Sequence, residues 1–405
     1  MMTLTLCIAV DHKNNRLERC LQSIHSLVDE IIVADMGTSM PVNQLCQDYG
    51  ATVVDCRQSM HPADALNLAL EQATGDWILW LNPNEYLKES ALPRYRDLLY
   101  IAGADLILHH VVEFQKTVEG RVRVVDYGHP RLFRRQAGFH FFGKDEVVFI
   151  DIDCTTSRDG QGQRIHMRSF KIHAESQVEQ TATVRKIKRV EQEMTAVQSH
   201  SPWNLYELAC EYLRIRDYKQ VVKWTNKIIQ LFLDQKTTPP AVIYKLKYAA
   251  VLDQTSFPQN ERSLELAARM YPDFTDLHYY IGLNYVKQSR FEEALQAFNY
   301  CLECGNTPSD YFVRQGLGSY MAHHYSGICL EKLERTVEAA CAYIRAIDSY
   351  QNYVPAVEAL NRLVIDFNID VADCMSEDIE LPLERLQDLL MAYDEKKGQS
   401  RVRSL

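Results

Sequence analysis

Lys and Arg number 44 against 54 Asp and Glu in a chain of 405 residues, and the net charge of −10 leaves no basic surplus to neutralise phosphates, which excludes bulk nucleic-acid binding. Hydrophobic residues make up 46% and charged residues 24%, with 16 Gly and 13 Pro, so disordered and collagen-like classes are excluded. At ~150 residues per domain the chain has room for about two to three separate cores.

Eleven cysteines run from Cys7 to Cys374 without a framework spacing, which points to free thiols in a reducing compartment. The apolar run Leu4 to Val10 has no basic leader and ends at Asp11, so it reads as a first strand. No window approaches the ~18 uninterrupted apolar residues of a spanning helix, and a soluble cytoplasmic protein is the expectation.

In chain order, β-rich runs alternate with helical patterns: Leu4 to Val10, Arg16 to Ser26, Glu30 to Ala34, Pro41 to Tyr49, Thr52 to Asp55, Ala63 to Gln72 and Trp77 to Leu81. Strands joined by crossover helices predict a doubly wound α/β sheet whose ligand crevice lies at the carboxyl ends of the strands. Beyond Asp105 the pattern changes to strands without helices: Leu106 to His109, Val122 to Asp126, Arg131 to Phe133, Val147 to Ile152 and Ser169 to His173. These predict a mixed or antiparallel extension, with Ser157 to Gln163 as a surface hairpin. The first domain is assigned to residues 1–179.

A connecting helix is expected over 180–199, and from 200 to 380 the chain is all-α with an internal repeat. Gly282, Tyr285, Phe291, Ala294, Phe298 and Cys301 reproduce the small-and-aromatic spacing of a tetratricopeptide helix pair; Gly327, Leu330, Ala339, Tyr343 and Ala346 repeat it. The two copies are offset by more than the ~34 residues of that repeat, so an insertion is expected between Gly305 and Gly318. Weaker copies hold Leu208, Ala209, Tyr212 and Tyr218, and Ala267 with Pro272. Such pairs stack into a solenoid whose concave surface suits another chain. Residues 381–405 are expected to form an amphipathic capping helix, Leu381 to Tyr393, and a basic tail with Lys396, Lys397, Arg401 and Arg403.

Several patterns carry no chemistry. Gly138 to Lys144 has the Gly and Lys spacing of a phosphate loop, but Asp145 replaces the hydroxyl residue and the interior is aromatic, so it reads as strand and turn. His109-His110 and His323-His324 are adjacent pairs whose side chains diverge, and Cys301 with Cys304 has no second ligand pair. No glycine-rich fingerprint follows the first strand.

The informative segment is Gly75-Asp76-Trp77-Ile78-Leu79-Trp80-Leu81-Asn82-Pro83-Asn84-Glu85, an apolar strand emptying into a polar, acid-ended turn. With Leu4 to Val10, Leu17 to Ser23, Val28-Asp29-Glu30-Ile31-Ile32-Val33-Ala34-Asp35-Met36-Gly37, Tyr49-Gly50-Ala51 and Ala73 to Leu81, it resembles glycosyltransferase family 2. The likeness is to the bacterial subgroup that joins a GT-A fold to tetratricopeptide repeats and includes peptide S-glycosyltransferases of the sublancin kind. Arg131 to Arg134, Phe141 to Glu146, His173, Lys186 and Arg189 extend it, and with the repeats it covers nearly the whole chain.

The resemblance implies a nucleotide-sugar donor, a divalent cation (manganese or magnesium) and inverting transfer to a hydroxyl or thiol of a peptide or protein acceptor. It places Asp35 and Gly37 at the nucleoside, Asn82 and Asn84 at the donor, Asn84 and Glu85 at the metal, and Glu146, beside Asp145, as general base. Asp35 is equally explained as a turn residue before Gly37.

The chain departs from the pattern at polar positions. Both Asp of the metal turn are Asn82 and Asn84, which removes two formal charges and sharply lowers metal affinity. Asp11-His12-Lys13 replaces a Lys-Asn-Glu, Met40 replaces an Asp, Leu66 an Arg, and Asp145 stands near the usual His. Two functions follow: a transferase acting on an acceptor presented by the repeats, or a catalytically inactive domain retained as a scaffold with the solenoid as its interaction module.

Overall fold

The computed structural model describes residues 2–11, 16–37, 42–58, 61–101, 103–116, 122–142, 149–150, 165–177, 201–252, 261–305, 314–376 and 379–402, with 184, 187–188 and 191–192. The chain divides into two compact units, one ending at Val251 and the other beginning at Leu252.

In the first unit, β1 (Leu4–Val10), β2 (Glu30–Asp35), β3 (Thr52–Asp55) and β4 (Trp77–Trp80) alternate with α1 (Leu17–Ile24), α2 (Val42–Asp48) and α3 (Pro62–Gln72), as the alternating pattern predicts. Helix α1 shows why: Leu17, Cys20, Leu21 and Ile24 recur at the spacing of one helix face, and all four are buried. The short β5 (Glu85–Leu87) and α4 (Leu92–Tyr95) follow, then β6 (Leu106–Lys116), β7 (Val122–Arg134), β8 (Phe141–Phe142), β9 (Phe149–Ile150) and β10 (Ile165–Gln177).

Eight strands form one mixed sheet in the order β3-β2-β1-β4-β7-β6-β10-β5. The β1–β2, β2–β3, β1–β4 and β6–β10 pairs are parallel, while β4–β7, β6–β7 and β5–β10 are antiparallel. Strand order reverses beside β1, between β2 and β4, so the crevice lies past the carboxyl ends of β1 and β4.

One expectation needs correcting: Val122 to Asp126 and Arg131 to Phe133 are parts of a single 13-residue strand, β7. Gly128-His129-Pro130 interrupts the sequence pattern but not the strand. Proline lacks the N–H a central strand needs, and the ladder answers with a bulge: Leu108 pairs with Pro130 and Ile107 with Leu132, so Arg131 is the extra residue.

The amino ends of the strands are pinned by carboxylates. Asp29 accepts from the Leu4 amide at 2.8 Å, and Asp76 accepts from the Thr3 amide at 2.9 Å. Glu30 accepts from the Thr5 hydroxyl at 2.5 Å and from the Thr74 amide at 2.8 Å. Gly75 is required there because a Cβ would stand 2.5 Å from the Thr5 hydroxyl oxygen and 2.9 Å from its amide nitrogen.

Three helices complete this unit: α5 (Pro202–Arg214), α6 (Tyr218–Asp234) and α7 (Ala241–Leu252), the last ending at the division. Helix α5 docks on β6 and β7 through polar contacts. Arg214 donates to the buried Glu113 at 2.9 and 3.2 Å and to Glu211 at 2.7 Å; the Gly128 amide donates to the Tyr206 hydroxyl at 3.2 Å.

The second unit contains α8 (Glu261–Met270), α9 (Thr275–Lys287), α10 (Phe291–Cys304), α11 (Tyr320–Lys332), α12 (Thr336–Ser349), α13 (Val354–Phe367) and α14 (Leu383–Val402). The repeat follows from close packing. A Cβ on Gly282 would come within 2.7 Å of the Phe298 ring, and one on Gly327 within 2.5 Å of the Tyr343 ring. Each glycine lies the same distance in sequence from its aromatic partner, so α9–α10 and α11–α12 are one design used twice.

The turns repeat as well. Ser289 and Glu334 take positive φ of 60° and 59°, and the following amides, Arg290 and Arg335, reach back to the Tyr285 and Leu330 carbonyls at 2.9 Å. Arg216, between α5 and α6, does the same with φ 64°, which puts Ala209, Tyr212 and Tyr218 in register with Gly282, Tyr285 and Phe291. The expected insertion falls between α10 and α11, where residues 306–313 lie outside the described residues. Helix α14 is longer than predicted and buries Leu386 and Leu390 in the second core.

Candidate active site

The crevice begins where β4 ends. Trp77 to Leu81 are buried, and the chain then turns through Asn82-Pro83-Asn84 into β5. The Glu85 amide donates to the Asn82 carbonyl at 2.9 Å across a turn with proline at its second position. The Glu85 carboxylate reaches back to accept from the Asn82 amide at 2.8 Å. From below, the Cys20 thiol of α1 lies 3.8 Å from the Asn82 carbonyl. Asn82 and Asn84 are half-buried.

Arg131 completes the turn, and the bulge aims it. Its Nη2 donates to Glu85 Oε1 at 2.6 Å, with the two side chains 2% and 3% exposed. Its guanidinium lies flat on the Trp80 indole, 3.8 Å from the ring centroid, while the indole N–H donates to the Pro130 carbonyl at 2.8 Å. The resemblance covered Arg131 without a role for it; an Arg inside an otherwise apolar β run, just after a proline, was the available signal.

Asp35 ends β2 at the same edge. Its carboxylate accepts from the Gly37 amide at 3.0 Å, and Gly37 has φ 96°, so the turn role of this pair is realised. Asp145 and Glu146 lie outside the described residues, as do Ser157 to Gln163. The segment leading to them is anchored by a residue whose work the sequence did not reveal. Asn67 of α3 donates to the Phe141 carbonyl and accepts from the Phe141 amide, both at 2.8 Å. Its neighbour Leu66, where the family has Arg, is a core residue, 2% exposed.

Beside the turn, β5 and β10 carry a column of stacked groups. Arg19 lies 3.7 Å over Tyr86, Tyr86 stacks on His173 with centroids 5.5 Å apart, and His173 stacks on Phe114 at 6.1 Å. Burial, with the nearby charges of Lys88, Lys171, His110 and Arg19, pushes the His173 imidazole down to about 4, so it is neutral at physiological pH. The adjacent His109 is wholly buried, hydrogen-bonded to the Tyr95 hydroxyl at 2.7 Å and pushed down to about 3 by desolvation.

A divalent cation needs hard, charged oxygen ligands. Among the described residues no group of three His, Cys, Asp or Glu side chains is gathered as a metal site. On the turn, Asn82 and Asn84 are neutral and both oxygens of Glu85 are engaged, by Arg131 and by the Asn82 amide. The described residues therefore do not fit the cation that the family resemblance implies.

Residues 5–159 match the family model described as Glycosyl transferase family 2, and paired helices consistent with tetratricopeptide repeats follow the sheet. A TPR repeat-containing protein of Synechococcus elongatus is 25% identical over 257 residues, which is 62% of this chain and 62% of that protein. The chain thus spans under two thirds of the length of the curated relative it matches. Among solved structures, Staphylococcus aureus TarS aligns with 14% identity over 69% of this chain and 55% of its own, with a TM-score of 0.35. Glucosyl-3-phosphoglycerate synthase from Mycobacterium tuberculosis, solved with Mn2+, uridine diphosphate and phosphoglyceric acid, aligns with 14% identity over 49% of this chain and 80% of its own, with a TM-score of 0.35. Among the described residues no helix is long and apolar enough to cross a membrane.

Proposed function

We propose that this chain binds a nucleotide sugar past the carboxyl ends of β1, β2 and β4 and transfers the sugar to a peptide or protein acceptor presented by its helical repeats, in the cytoplasm. The observation that carries this reading is the position of the Asn82 to Glu85 turn, inside the family match and at the point where the strand order reverses. In this reading Asp35 and Gly37 face the nucleoside, and Asn82 and Asn84 offer amide groups to the sugar diphosphate. Glu146, with Asp145 beside it, takes the acceptor proton.

The test is titration calorimetry of UDP, GDP and their sugar conjugates against the full chain, followed by mass spectrometry of peptide acceptors mixed with the donor that binds. Donor binding with a sugar-sized mass increase, lost in Glu146→Gln, supports transfer.

A second reading, an inactive transferase domain kept as a scaffold, is favoured by the neutral amides at 82 and 84 and by the capture of Glu85. Under it no donor binds, and the helical repeats still retain a partner chain without nucleotide.

A further inference from the structure

Glu85 is the one carboxylate of the 82–85 turn, and the fold gives it an unusual partner. Arg131 is an inserted residue in a central strand, and the bulge that accommodates it turns its side chain toward the end of β4. Both members of the pair are almost fully buried, 2.6 Å apart, with the guanidinium face against Trp80. Nε and Nη1 of Arg131 have no hydrogen-bond partner among the described residues, which makes Glu85 its principal compensation.

A metal ion that coordinated Glu85 would have to displace a buried guanidinium and then sit beside its positive charge. Asn82 and Asn84 would add dipoles but no charge to offset that repulsion. Removing the carboxylate from Arg131 would also leave a buried cation unpaired, the costliest outcome available to such a pair.

We infer that the 82–85 turn is built to stand without a divalent ion: Glu85 is held as the counter-ion of Arg131, and Asn82 and Asn84 bring no charge to bind one. Arg131 is thus a positioning residue that shapes the turn without a bound metal. The inference rests on the donor-site reading for its placement only, because cation occupancy is read independently of transfer.

The test follows the indole N–H signal of Trp80, in contact with the guanidinium, by 15N-correlated NMR of the full chain during titration with Mn2+, with and without UDP. The chain has 4 Trp, and Trp203 and Trp224 serve as internal references. Stoichiometric Mn2+ is expected to leave the Trp80 signal as strong as theirs. Selective loss of the Trp80 signal, reversed by excess Mg2+, overturns the inference.

UDP-induced shifts at the crevice are scored separately, so failure of the donor reading is not mistaken for failure of this one. As a second measurement, Glu85→Gln is expected to lower the melting temperature equally in EDTA and in Mn2+. A wild-type melting temperature that falls in EDTA, with that sensitivity lost in Glu85→Gln, also overturns it.

Discussion

The two ends of the same sheet use carboxylates in opposite ways. At the amino edge, Asp29, Glu30 and Asp76 cap backbone amides and hydroxyls of neighbouring strands and loops, partly open to water. At the carboxyl edge, Glu85 is buried against a single cation, and the flanking positions have lost their charge. The amino edge carries the family likeness, in Val28 to Glu30 and Ala73 to Asp76, and every acid there is explained by the fold. The carboxyl edge carries the departures at Asn82 and Asn84, beside the buried pair of Glu85 with Arg131. A sequence likeness dominated by scaffold residues therefore reports architecture far more firmly than chemistry.

The comparison breaks most visibly at the buried pair. Arg131→Met should cost about 3–5 kcal/mol in urea denaturation because it leaves Glu85 buried without its charge partner. Adding Glu85→Leu to that variant should recover most of the loss, since a well-packed apolar pair replaces a buried ionic one at little cost. A single variant as stable as wild type would dissolve the distinction between the two edges. At the amino edge the largest effect is steric: Gly75→Ala should cost about 1–3 kcal/mol as β1 moves away from the new methyl group.

Acid sharpens the contrast. Burial would raise the Glu30 carboxyl, but hydrogen bonds from Thr5, Thr74 and Gly75 outweigh it and hold the group below its ordinary 4.5; Asp29 is held below 3.8 when bonds from Arg96 and Leu4 outweigh burial. Because the unfolded chain binds these protons more readily, this stabilisation is complete above the unfolded values and is lost as pH falls through the folded ones. Thr5→Val should weaken the Glu30 contribution and shift acid unfolding, followed by circular dichroism, in proportion. The smallest effect belongs to Asp55 and Arg57, an exposed pair, where Arg57→Ala should leave the denaturation midpoint unchanged.

Much of the fold was legible because its periodicities are local. Strands β1 and β3 run from Leu4 to Val10 and from Thr52 to Asp55, as the alternation predicts, and Gly282 and Gly327 announce helix pairs through the aromatics each must meet. Strand β7 was read as two because Pro130 looks like a terminator; its carbonyl is satisfied by Trp80, and the bulge absorbs its missing N–H. The partnership of Glu85 with Arg131 spans 46 residues and depends on that bulge, so no local pattern could disclose it. The two-bond clamp of Asn67 on Phe141 is likewise visible only in three dimensions.

Helix α5 reaches the sheet through Arg214 and Tyr206, and Glu113, 2% exposed, depends on Arg214 for its charge partner. This bears on how such a chain can be assembled by gene fusion. A recombination joint placed just before Pro202 would separate a buried acid from its base and strip two backbone groups of Gly128 of their partners, Tyr206 and Cys210. The first repeat-like helix is therefore bonded to the sheet as one piece, and a workable joint for exchanging helical repeats is expected only farther along the chain.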